Sequence, residues 1–192
     1  MKKALGIDVG GTKISYAIID ENGEFVNKIK KVPTPKTLEE LKETFKNIVA
    51  ENEKDVDYIA FATAGAINLE NTKVESSSPN MPEGYNTIEF TTLSKKPIYV
   101  ENDANAAAWA EYKVGAAKGY DNNVMVTLNN IFDTEIFVIS GGMGEFINTK
   151  TIEDELNKQT IVSPAKVVLA TTGNNAGMLG CALLAIDTFK KK

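Results

Sequence analysis

Apolar and polar positions alternate along this chain in a way that predicts short strands first and helices between and after them. Ala4 to Val9 is an apolar run with β-branched members and reads as a buried strand. Ile14 to Ile19 forms a second strand, and beyond the turn Asp20-Glu21-Asn22-Gly23 a third runs from near Glu24 to Val32, giving an antiparallel meander. Pro33 and Pro35 then break the chain. Thr37 with Glu40 makes a capping box, and Leu38, Leu41, Phe45, Ile48 and Val49 recur at helical spacing, so Leu38 to about Asn52 is an amphipathic helix. Asp57 to Thr63 is a further buried strand, ending in Ala64-Gly65-Ala66-Ile67. A meander followed by helix and strand makes a mixed sheet. Residues 68 to 96 read as loop, with turn material at Ser76 to Asn80 and Met81 to Gly84. On composition that loop is a substrate wall or surface padding, and the sequence does not choose.

Pro97 to Val100 is another short strand, ended by Glu101-Asn102-Asp103, and Ala104 to Glu111 is a helix by propensity. Asp103 lies at or near the helix N-cap, where the positive end of the helix favours a carboxylate and the strand edge aims it at a cleft. That setting suits a carboxylate base, although an aspartate there is commonly a cap and nothing more. Gly115 to Asn123 is the expected domain boundary. The remainder reads as strands at Val124 to Leu128, Glu135 to Ser140 and Lys166 to Thr171. Helices are expected at Ile152 to Gln159 and, rich in small residues, at Ala176 to Phe189. Trp109, in the alanine helix, reads as packing, and Cys181, among small apolar residues, as core.

The turn between the first two strands carries the candidate chemistry. In Asp8-Val9-Gly10-Gly11-Thr12-Lys13, two glycines allow positive φ and let a ligand approach without a Cβ in the way. Successive backbone N–H groups in such a turn make an anion-binding concavity, and Thr12 and Lys13 add a hydroxyl and a cation. Asp8 can hold a hydrated Mg²⁺ against phosphate oxygens. A plain tight hairpin is the other reading of the same residues.

Composition narrows the chemistry. With no histidine and one cysteine, the chain has no Ser-His-Asp or Cys-His site, no internal disulfide and no ordinary structural zinc site. Proton transfer falls to carboxylates, lysines or tyrosines. A net charge of −5 offers no basic field to nucleic acid. No apolar run approaches a membrane span and the N-terminus lacks a signal-peptide core, so a cytoplasmic protein with neither membrane nor nucleic-acid partner is expected.

Five stretches, in order, resemble the ROK family of sugar kinases and repressors, which includes bacterial glucokinases. They are Asp8 to Lys13; Ala64-Gly65-Ala66-Ile67; Ser78-Pro79-Asn80-Met81-Pro82; Glu101-Asn102-Asp103-Ala104-Asn105-Ala106; and Gly141-Gly142 with Ala176-Gly177-Met178-Leu179-Gly180-Cys181-Ala182. The resemblance implies an α/β, actin-like ATPase (ribonuclease H-like) fold in two lobes, the first built on a mixed five-stranded sheet. Residues 1–115 would form that lobe and 116–192 a truncated second lobe, its closing helix at about 176–189 packing back on the first. It implies ATP-dependent phosphorylation of a hexose between the lobes. By position Asp103 is the base, Asn102, Asn80 and Gly65 meet the sugar, and Asp8 positions Mg²⁺. Gly10, Gly11, Thr12 and Lys13 stand at the phosphates, and Gly141, Gly142 and Gly177 face the nucleotide. Homodimers are common in the family. Its repressors carry an N-terminal DNA-binding helix pair, for which a phosphate strand beginning at residue 4 leaves no room.

The chain also departs from the family. After Val124 to Leu128 the family continues into a second glycine-rich phosphate turn, a Glu-x-Gly-His sugar motif and a Cys/His zinc motif. Here Leu128 runs through Asn129 and Asn130 into Ile131 to Ile136, which resembles the segment ahead of the family's adenosine turn. An engineered deletion, a natural degenerate homologue and a chain given without some of its residues all fit that join. With half the phosphate clamp gone, a weak or dead kinase is expected.

Overall fold

Two apolar runs start the sheet. β1 (Lys3–Val9) and β2 (Lys13–Asp20) pair antiparallel, with Asp8 opposite Ser15 and Val9 opposite Ile14. β2 is buried at every position after Lys13, as a strand covered on both faces must be. The computed structural model describes residues 1–77, 79–116, 118, 135–140, 148–159 and 163–190.

The third strand is shorter than the sequence pattern predicts: β3 spans Lys30–Pro33 rather than starting near Glu24. Val26 still donates to the Ile18 carbonyl at 2.8 Å and Phe25 bridges Ile19. The Ile18 N–H, however, is taken at 2.8 Å by the side-chain oxygen of Asn27. A side chain has replaced a strand carbonyl, and the ladder resumes only at Lys30.

α1 (Leu38–Asn52) begins and ends where its periodicity requires. Thr37 caps it by accepting the Glu40 N–H at 3.4 Å, while its hydroxyl donates to the Glu40 carboxylate at 2.8 Å. Leu41, Phe45, Ile48 and Val49 go inward, and Phe45 meets Phe61 edge-on at 5.3 Å. β4 (Tyr58–Thr63) lies parallel to β1. Asp57 stays outside the strand because its carboxylate accepts the Lys3 N–H at 3.0 Å and the Lys2 ammonium at 2.9 Å.

Residues 68 to 96 are more than padding. β5 (Gly65–Ile67) and β6 (Val74–Ser77) form a hairpin, and the segment buries Val74, Met81, Tyr85, Ile88 and Phe90 in the α1-side core. Tyr85 is fully buried, with its hydroxyl 2.8 Å from that of Thr63.

β7 (Ile98–Asn102) completes a five-stranded mixed sheet of order β3-β2-β1-β4-β7. α2 (Asp103–Val114) follows directly. β8 (Ile136–Ile139), α3 (Thr149–Gln159), β9 (Lys166–Leu169) and α4 (Ala176–Lys190) complete the described elements. No helix among the described residues is long and apolar enough to cross a membrane.

The chain divides into two compact units, Met1–Trp109 with Asn175–Lys192, and Ala110–Asn174. The division falls inside α2, ahead of the Gly115 connector, and α4 belongs to the first unit. Strand alternation places α4 there. Leu5, Ile7 and Val9 join the α1-side core, whereas Gly6 and Asp8 point to the other face. A Cβ on Gly6 would stand 2.4 Å from the Met178 carbonyl oxygen, so the helix lies directly on the strand backbone. Cys181 is fully buried there, and burial pushes its thiol well above the ordinary range, as a core residue requires.

In the second unit β8 and β9 pair in parallel, and Phe137, Ala165 and Val167 pack with Leu156 of α3. Asn157 brackets Ala165, accepting its N–H at 2.9 Å and donating to its carbonyl at 3.1 Å. The expected strand at Val124 to Leu128, the join beyond it and the Gly141-Gly142 turn lie outside the described residues.

Candidate functional site

The glycine turn leaves β1 at Asp8. Neither Gly10 nor Gly11 adopts the left-handed φ that a glycine doublet suggested. Their requirement is close approach: a Cβ on Gly11 would meet the Asn80 side chain at 2.9 Å, and one on Gly10 the Lys13 carbonyl at 3.1 Å. The Gly10 N–H is already spent, donating to the Lys13 carbonyl at 3.0 Å, so it does not contribute to an anion-binding concavity. Two residues that motif reading missed fix the turn from outside. The Thr34 hydroxyl donates to the Gly10 carbonyl at 2.6 Å, and the Lys36 ammonium donates to the Gly11 carbonyl at 3.2 Å. Their only signal was position, just beyond the third strand, which propensity does not read.

Asp8 stands under the first turn of α4, where a Cβ on Gly177 would lie 3.4 Å from its carboxylate. Burial there, reinforced by the negative charge of Asp103, pushes the Asp8 carboxyl from an ordinary 3.8 up to about 6, against the pull of Lys13. The two carboxylates are thus electrostatic neighbours at the ends of β1 and β7. A site with that excess of negative potential fits a hydrated divalent cation.

Its pH consequence has a definite sign. A carboxyl whose pKa rises on folding binds its proton more tightly in the folded chain. Its contribution to stability is therefore full below about pH 3.8 and is lost as pH rises through about 6. Asp8→Asn should stabilise the metal-free chain by about 1–2 kcal/mol at pH 8 and leave it unchanged near pH 4. Urea unfolding at the two pH values reads this directly. An equal effect at both would rule out ionisation as the cause.

Asp103 lies near the helix N-cap, as expected, and its carboxylate accepts the Ala104 N–H at 2.9 Å. The cap itself is Asn102: its side-chain oxygen accepts the Ala104 N–H at 2.9 Å and the Asn105 N–H at 3.2 Å. Its amide donates to the Gly65 carbonyl at 3.0 Å. Asp103 becomes the first helical residue and is exposed. Gly65 holds φ +126°, and a Cβ would stand 2.2 Å from the Ser76 carbonyl, so only glycine fits. Beside this pair opens a cavity of about 390 Å³ lined by Gly65, Ile67, Asn68, Asn71, Glu101 and Asn105. Glu101, which the motif includes but to which it gave no role, accepts from Asn71 and Asn105, each at 3.1 Å, and from the Asn102 N–H at 2.8 Å.

The first unit therefore brings together Asp8, the Gly10 to Lys13 turn, Asn80, Gly65, Asn102, Asp103 and Gly177; Gly141 and Gly142 lie outside the described residues. The profile of the ROK family matches residues 4–129, which takes in most of these positions. The chain belongs to the ROK family. This ROK chain is 35% identical over 132 residues to a glucokinase of Streptomyces coelicolor, covering 67% of the chain and 41% of that enzyme. It is 31% identical over 158 residues to an N-acetylmannosamine kinase of Haemophilus influenzae, covering 74% and 51%. It thus spans about half the length of the curated relatives it matches. A crystal structure of a ROK family glucokinase from Streptomyces griseus, in complex with glucose and AMPPNP, superimposes with a TM-score of 0.74 at 19% identity. The match covers 96% of this chain and 99% of that one. Its fold is the actin-like fold that the motif resemblance implied.

Proposed function

We propose that this ROK chain transfers the γ-phosphoryl group of ATP to a hexose hydroxyl, and does so weakly. The observation that carries the reading is the pairing of a half-buried and an exposed carboxylate, Asp8 and Asp103, which face each other electrostatically from the ends of β1 and β7 on either side of β4. Asp103 accepts the proton of the attacking hydroxyl. The sugar lies against Gly65 and Asn80 and takes the amide N–H of Asn102 that capping and the Gly65 carbonyl leave over. Asp8 holds hydrated Mg²⁺, while Gly10, Gly11, Thr12 and Lys13 line the phosphates, with Gly11 and Thr12 replacing Gly10 as backbone donors. Gly177, with Gly141 and Gly142, faces the nucleotide. Bound Mg²⁺-ATP supplies the phosphoryl group and neutralises its charge; the protein's part is mainly positioning. Zinc has no role in this scheme. A chain of about half its relatives' length positions donor and acceptor less well, and misplacement by an ångström costs about 10²-fold.

Coupled ADP release with ATP, Mg²⁺ and a panel of hexoses tests the proposal. Slow release that depends on one hexose and stops when Mg²⁺ is chelated is the expected result. Release indifferent to every hexose would discard it. The short coverage of the relatives favours a second reading, a binding module without turnover. Heat of glucose binding with no ADP release would select that reading.

A further inference from the structure

One residue of the Glu101-Asn102-Asp103 string has no part in the chemistry above. Glu101 stands near the end of β7, and its carboxylate gathers donors from both directions along the chain. Oε1 accepts the Asn102 N–H at 2.8 Å and the Asn105 amide at 3.1 Å, and Oε2 accepts the Asn71 amide at 3.1 Å. Bonds to an ionised acceptor are stronger than neutral ones, and a carboxylate shared between two segments fixes one against the other.

Asn71 is held for that contact. It lies in the turn between β5 and β6 and is the one non-glycine residue with a left-handed φ, +55°, among the described residues. Such a conformation persists where its surroundings impose it. Here they do: the Asn71 carbonyl accepts the Val100 N–H at 2.7 Å, and its amide donates to the Val100 carbonyl at 3.0 Å. One residue thus covers the open edge of β7 before the same amide reaches Glu101. The start of the hairpin is tied to β7 as well, since the Gly65 carbonyl accepts the Asn102 amide.

These ties bear unequally on the two site residues. Asn102 has anchors of its own, Gly65 on one side and the N–H groups of Ala104 and Asn105 on the other. Asp103 is exposed, and its carboxylate accepts the N–H of the very next residue, so its direction follows the backbone of the first turn of α2. Glu101 grips that turn on both sides of Asp103, at the Asn102 N–H and at the Asn105 amide. All of these residues belong to the first compact unit.

We propose that Glu101, held in turn by Asn71, is a positioning residue: it fixes the first turn of α2 and thereby aims the Asp103 carboxylate. That Asp103 is the base rests on the proposed phosphoryl transfer; that Glu101 orders its backbone does not. A pair that only covered the sheet edge would leave Asp103 undisturbed when removed.

The test compares the whole chain with Glu101→Ala and with Asn71→Gly. The second keeps the left-handed backbone and removes only the amide, so it serves if the first fails to fold. ADP release is measured with ATP, Mg²⁺ and the hexose that the panel selects, and backbone order parameters by nitrogen-15 relaxation. For Glu101→Ala, kcat should fall about 10²-fold, the scale of an ångström of misplacement, with the hexose KM changed less than about twofold. Asn71→Gly should lower kcat about tenfold, the scale of one lost charge-assisted bond. In an Asp103→Ala background Glu101→Ala should cost nothing further, because it acts through the group already removed. Order parameters at Asp103 and Ala104 should drop from about 0.85 towards about 0.6 in both variants. A full further loss in the Asp103→Ala background would overturn the proposal, as would kcat and KM that worsen together. In a parent that releases no ADP the base assignment falls with the kinase reading, and relaxation alone decides. Unchanged order parameters at Asp103 and Ala104 would then overturn the positioning role.

Discussion

Gly180→Ala is expected to cost on the order of 3–5 kcal/mol, a large share of the roughly 5–15 kcal/mol that holds a domain folded. The added methyl would stand 1.6 Å from the Ala106 carbonyl oxygen, 2.3 Å from its carbon and 3.0 Å from its Cα. All three are backbone atoms of α2, so no side-chain rotation relieves the overlap. The helices must separate, and separation unseats what α4 buries around that point, including Cys181, Ala182 and Leu183. It also lifts the α4 first turn from Asp8. Two other glycines serve as controls. Gly173→Ala meets nothing within 4 Å and carries only the strain of a left-handed φ, about 1–2 kcal/mol. Gly177→Ala makes an ordinary 3.4 Å contact with the Asp8 carboxylate, so its effect should fall on that group's ionisation rather than on packing. Urea denaturation of the three variants gives the ranking. A Gly180→Ala midpoint no lower than that of Gly173→Ala would show that the helices do not cross this closely.

The contrast among those glycines marks how far sequence alone reaches. Helical periodicity located α1 to the residue because Leu41, Phe45, Ile48 and Val49 bury a single stripe and Thr37 closes one end. The order of strands and helix was legible for the same reason: apolar runs and glycine turns are local signals. Gly6 and Gly180 were not legible. Each is defined by a residue far along the chain, namely Met178 and Ala106, and no periodicity records such a meeting. β3 was overestimated because one Asn27 side chain can end a ladder that propensity would continue. At the site, motif spacing brought out Asp8, Gly65, Asn102 and Asp103. Hydrogen-bond geometry was needed to separate their duties, giving the helix cap to Asn102 and leaving Asp103 exposed.

That division of duties makes Asp103→Ala a clean experiment. If Asp103 accepts the hydroxyl proton, its loss should lower hexose-dependent ADP release by about 10²–10⁴-fold, the usual worth of a positioned general base. Stability should barely move, because Asn102 carries the cap and Asp103 is exposed. Removing its charge also relieves Asp8, so the Asp8 carboxyl should titrate below about 6 in the variant. Asn102→Ala should behave oppositely in stability: it loses the cap and the bond to the Gly65 carbonyl together, a cost of about 1–3 kcal/mol. Measured side by side, the pair separates chemistry from architecture. Activity lost in Asp103→Ala with an unchanged unfolding midpoint assigns the proton to Asp103. Undiminished release from that variant would transfer the role to another carboxylate, and Asp8, its neighbour across the strand ends, would be the next group to replace.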